Sequence, residues 1–129
     1  MIVISRFRPA AGSAEAFRWR AEQALGAFAE RPGFLRGHVG RAVDDPTLWT
    51  VLTEWDSVGS FRRSLSAFEV KVYAAPLLAE AIEEPGAYEL LVSAEGSTPA
   101  IRPSALAADA GEVRVGEAAT PRAPRDLPD

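Results

Sequence analysis

Residues 31–57, RPGFLRGHVGRAVDDPTLWTVLTEWDS, decide the fold. Leu35 to Val43 and Leu48 to Trp55 are rich in β-branched and aromatic residues and read as two strands. Asp44-Asp45-Pro46-Thr47 lies between them, where aspartate supplies local hydrogen bonds and proline a fixed φ. The stretch is therefore an antiparallel hairpin. Strand side chains alternate, so Trp49, Val51, Thr53 and Trp55 share one face.

Working outward, Pro32-Gly33 ends a preceding helix in which Phe17, Ala21, Ala24, Leu25 and Phe28 recur at helical spacing. Ser13 is placed to cap that helix, with Glu15 in its first turn. Ile2 to Arg8 reads as the first strand. After the hairpin, Ser57 caps a short helix through Phe61 and Leu65. Residues 66–73 alternate like a strand, but Ser66 and Glu69 have capping-box spacing, and Leu65 can staple onto Val70. That segment is expected to be helical, restarting at Pro76 and closing at Pro85-Gly86. Tyr88 to Val92 is the expected last strand.

The order β-α-β-β-α-β predicts a ferredoxin-like α+β fold over residues 1–93: an antiparallel sheet with its helices on one face. Residues 94–129, with five prolines and weak periodicity, are expected to be a largely irregular tail. Ile2 and Ile4 point away from Val3 and Phe7, so the second sheet face is also apolar. A homodimer that covers that face is expected. Trp19 lies opposite the apolar helix face, and Ile101, Leu106 and Val113 of the tail are candidates to shelter it.

Composition removes whole classes of chemistry. There is no cysteine, hence no disulfide, thiolate metal site or thiol nucleophile. A single histidine excludes a multi-histidine zinc site within one chain. The formal charge is −4 and the basic residues are scattered, which argues against nucleic acid as a partner. No apolar run approaches the roughly 20 residues that span a bilayer, so no membrane partner is expected. The amino terminus lacks the form of a secretory signal, which predicts a cytoplasmic protein. Lys71 is the one lysine among 14 basic residues, and asparagine is absent.

Pro32-Gly33-Phe34 after an amphipathic helix, a hairpin ending in Thr53-Glu54-Trp55-Asp56-Ser57, and then Phe61 resemble the antibiotic biosynthesis monooxygenase (ABM) family over residues 1–93. The resemblance implies a dimeric α+β barrel with a ligand pocket between helices and sheet. It also implies two catalytic programmes. Haem-degrading members use an asparagine, a tryptophan and an axial histidine; the corresponding positions here are Ser5, Ser64, and Tyr73 or Ala74. Tyr73 is then the one candidate haem ligand, since tyrosinate ligates iron in catalase.

Quinone-forming members use no cofactor: the substrate phenolate or carbanion reacts directly with oxygen, and the protein supplies an aromatic-lined cavity. Trp55 matches the tryptophan of that cavity, and Phe61 stands where some members carry a tyrosine. This implies a cofactor-independent oxygenase acting on a small aromatic or polyketide-like ligand. Ser5, Phe7, Thr53, Trp55, Ser64 and Tyr73 are the expected substrate contacts. His38 is the candidate general base, because an imidazole titrates near neutrality. The alternatives are a non-catalytic module binding a small hydrophobic ligand and a noncanonical haem protein. In the plainer reading, Trp49 and Trp55 are core and His38 is a strand residue.

Overall fold

The computed structural model describes residues 1–104. Four antiparallel strands form one sheet in the order β2-β3-β1-β4: β1 Ile2–Phe7, β2 Phe34–Arg41, β3 Trp49–Trp55 and β4 Ala87–Tyr88. This is the ferredoxin-like α+β arrangement expected. The register sets Ile4 opposite Leu52 and Phe7 opposite Trp49 on β1 and β3, and Val39 opposite Val51 on β2 and β3. Alternation then divides the sheet. Phe7, Trp49, Val51, Thr53 and Trp55 are buried beneath the helices. Ile2, Ile4 and Leu52, on the other face, are half-buried.

Helix α1, Ala14–Ala29, buries Phe17, Ala21, Ala24, Ala27 and Phe28 against that face. Leu25 is only half-buried and lies over Gly37, where an added Cβ would strike its methyl group. The absent side chain lets helix and strand approach. Ser13 precedes α1, but its hydroxyl donates to the Ala10 carbonyl and caps nothing. Ser57 does cap α2, Val58–Ser64, by accepting from the Ser60 N–H at 3.1 Å.

Residues 66–73 lead into a helix, as expected, but without a capping box: the Ser66 hydroxyl donates to the Arg63 carbonyl. The helix contains a π-turn, Val70–Ala74, which runs directly into α3, Ala75–Leu78. Pro76 accounts for it. Proline offers no N–H to the carbonyl four residues back, and its ring presses on that group. In the wider turn the Ala75 N–H reaches back to the Val70 carbonyl.

The last strand of the sheet is shorter than expected, because the chain spends its hydrogen bonds earlier. Ile82 N–H donates to the Arg6 carbonyl at 2.8 Å, and Ile4 N–H donates to the Gly86 carbonyl at 2.7 Å. Residues 83–85 bow out between those points, leaving only Ala87 and Tyr88 as β4.

A second compact unit begins at Leu91. In it Val92–Glu95 (β5) and Thr98–Ile101 (β6) pair as a hairpin, so residues 94–101 are ordered strand and turn rather than irregular chain. Gly96, at φ 79°, occupies the first position of the two-residue turn, which glycine alone adopts without strain. Trp19 is 61% exposed and Ile101 87%. Leu106 and Val113, proposed to shelter Trp19, lie outside the described residues, as does the rest of the expected tail from residue 105.

Candidate functional site

The aromatic side chains between helices and sheet form two clusters, one at each end of β3. Around Trp55, the rings of Phe28, Phe34 and Phe61 stand 5.7, 5.4 and 5.6 Å away between centroids. The Trp55 indole N–H donates to the Thr53 hydroxyl at 2.8 Å, so its one polar atom is satisfied inside the core. Ser64 is also buried, donating to the Phe61 carbonyl at 2.5 Å. Phe7 belongs to the other cluster, 5.1 Å from Phe17, which in turn meets Trp49 edge-on at 5.5 Å. Four expected substrate contacts (Phe7, Thr53, Trp55 and Ser64) are thus brought together in one layer, where they fill the core.

His38 is elsewhere. It pairs with Leu52 across β2 and β3, and therefore points to the sheet face opposite Val51 and Thr53. Its side chain is exposed. The position expected of a general base inside the helix-sheet layer is not the one it takes.

Ser5 does line a cavity. The bow at residues 83–85 leaves a cleft of about 590 Å³ against β1, walled by Leu78, Ala81 and Ile82, with Glu83 and Glu84 beside it. Glu84 is held by both of its oxygens to Arg6, at 2.7 and 2.8 Å. Those hydrogen bonds and the adjacent positive charge keep its carboxyl below the usual range. Glu83 makes no such pair among the described residues.

Tyr73, in the π-turn, borders a separate groove of about 270 Å³ between the helices, together with Glu22, Glu30 and Glu69. Three carboxylates repel the propionates of a haem, and no histidine is near. The residues around Tyr73 do not fit that group.

A third recess contains none of the expected site residues. It lies between the first half of α1 and the β2–β3 end of the sheet, has a volume of about 460 Å³, and is lined by Glu15, Arg18, Glu22, Leu25, Arg41 and Trp49 among others. Arg41 faces Trp49 directly across the hairpin, and its guanidinium sits 5.3 Å from the indole centroid. The hairpin register alone implies this pairing. Sequence pattern does not single these residues out, because arginines are frequent throughout the chain and Trp49 reads as core.

Among the described residues no helix is long and apolar enough to cross a membrane, and no cluster of histidine and carboxylate side chains could hold a metal ion.

Residues 1–76 match the profile of the antibiotic biosynthesis monooxygenase family. No curated protein matches the chain. Among solved structures, SnoaB, a cofactor-independent oxygenase from Streptomyces nogalater, is 26% identical, with a TM-score of 0.56 over 70% of this chain and 94% of its own. Rv0793 from Mycobacterium tuberculosis is 18% identical, with a TM-score of 0.57 over 74% of this chain and 97% of its own. PA3566 from Pseudomonas aeruginosa is 15% identical, with a TM-score of 0.54 over 69% and 92%. The last two share the fold.

Proposed function

The chain belongs to the antibiotic biosynthesis monooxygenase family, and from that premise we propose a cofactor-independent oxygenase that converts a small aromatic or polyketide-like phenol to a quinone. The observation that carries this reading is the Ser5 cleft. Its volume is that of a small-molecule site, and its lining sets the apolar side chains of Leu78, Ala81 and Ile82 beside the polar groups of Ser5, Glu83 and Glu84. The likeness to SnoaB supports oxygenation without a cofactor.

In this reading the substrate's acidic C–H or O–H faces Glu83, which takes the proton, while the Ser5 hydroxyl donates to the oxyanion that develops. The substrate anion supplies the electrons to oxygen. For an anthrone, one oxygen atom becomes the new carbonyl and the other leaves as water with the two methylene hydrogens. Phe7, Thr53, Trp55 and Ser64 serve as core rather than as substrate contacts, and His38 takes no part in proton transfer.

The functional unit is a homodimer. Ile2, Ile4, Leu52 and Tyr88 share the outer face of the sheet, rimmed by the Arg36–Glu54 and Arg6–Glu84 pairs and by His38. An apolar centre with a polar rim is the form of an interface between copies.

The test is oxygen uptake with an anthrone and no added metal, flavin or nicotinamide. Uptake should be catalytic, and Ser5→Ala should lower it about 10²-fold or more, the loss of one donor to an oxyanion. A second reading, a binding module without chemistry, draws on the filled core around Trp55; absence of uptake with every such phenol favours it.

A further inference from the structure

The recess beside Trp49 has the composition of a second binding site. Arg18 and Arg41 form no ion pair among the described residues, whereas Arg6, Arg8, Arg20 and Arg36 each hold a carboxylate. The contrast is sharpest at Arg18. It stands three residues after Glu15 and four before Glu22, the spacings at which helical charges ordinarily pair, yet it pairs with neither. Two guanidinium groups and two carboxylates thus border one apolar floor of Leu25, Val39 and Trp49 without satisfying each other.

The Arg41 guanidinium already lies over the indole, at the edge of the groove. A planar fork matches a carboxylate. Glu15 and Glu22 accept hydrogen bonds and suit hydroxyl donors. We propose that this groove binds a hydroxylated aromatic carboxylate, its rings against Leu25 and Trp49, its carboxylate on Arg18 and Arg41, and its hydroxyl on Glu15 or Glu22. The Ser5 cleft lies on the other side of the sheet's midline, at β1, and shares none of these residues. The two sites can therefore stand or fall separately.

Isothermal titration calorimetry with hydroxynaphthoic acid as the probe tests this without requiring turnover. One molecule should bind per chain at this groove, counted as the stoichiometry that Arg18→Ala removes. Naphthol, which lacks the carboxylate, should bind about tenfold or more weaker, as should the acid to Arg18→Ala or Arg41→Ala, the usual loss for a charged hydrogen bond. Thermal melting checks the fold of each variant; Arg18, on the surface of α1, carries the test if Arg41→Ala unfolds. Failure of the wild type to bind the acid, equal affinity for naphthol, or undiminished binding by Arg18→Ala would overturn the proposal.

Discussion

Trp49 and Trp55 are the first and last residues of one strand, on the same face, and their surroundings differ in kind. Trp55 is enclosed by three aromatic rings and by a clasp of backbone and hydroxyl contacts. Asp56 N–H donates to the Gly33 carbonyl, the Ser60 hydroxyl donates to the Asp56 carboxylate at 2.6 Å, and the Met1 amino group donates to the Trp55 carbonyl at 2.9 Å. Gly33 sits at φ 89°, and a Cβ there would overlap the Ser60 side chain. Trp49 is also buried, but its neighbours are a single aromatic ring, Phe17, and the Arg41 guanidinium over its face. One end of the layer is sealed by rings, and the other borders a groove.

The largest expected effect breaks the symmetry outright. Trp55→Ala should cost about 3–5 kcal/mol in denaturant unfolding, the range for deleting a fully enclosed aromatic side chain. Trp49→Ala should cost measurably less, because the groove already borders the vacated space. Equal losses would mean that the two ends are packed alike.

Thr53→Val comes next. It keeps the shape but leaves the Trp55 indole N–H buried without an acceptor, at about 1–3 kcal/mol. If the variant unfolds at the same denaturant concentration as the parent, the closed end gains nothing from that bond.

The smallest effect is in acid. Asp56 has its pKa lowered chiefly by the Ser60 hydroxyl, and Asp45, in the turn near Trp49, by Thr47 and then Arg8. A carboxyl depressed on folding stabilises the folded state above its unfolded pKa, about 3.9, and that contribution is lost as pH falls through the folded value. Melting temperatures should therefore decline below about pH 4. Asp56→Asn should remove part of that decline; an unaltered pH profile would show that the clasp does not depend on the charge.

The same contrast explains what was legible in the sequence. Most residues that carry the family likeness (Gly33, Phe34, Trp55, Asp56, Ser57 and Phe61) meet in space as the closed cluster and its clasp. They specify how a helix, a hairpin and a second helix lock together, so they announced the fold and said little of chemistry. The strand order followed from the same pattern. Other features needed geometry that no local pattern carries. The π-turn arises from Pro76 acting on residues before it. The side taken by His38 depends on the register across residues 42–48, a connection too long for turn type to fix. The β5–β6 hairpin was within reach, since Gly96-Ser97 is a two-residue turn signal, but Pro99 made the following strand look like loop. Proline is tolerated there because a two-stranded ribbon has only edges.

β2 forms the outer edge of the four-stranded sheet, and a free edge invites other chains to add to it. Its composition discourages that. Gly37 and Gly40 are poor strand formers, Arg36 and Arg41 place charge along it, and the register slips between Phe34 and Arg36. Irregularity and positive charge are how natural sheets keep their margins from polymerising. Replacing Gly40 and Arg41 with threonine or valine would straighten that margin, and the price would appear during expression, as material lost to inclusion bodies.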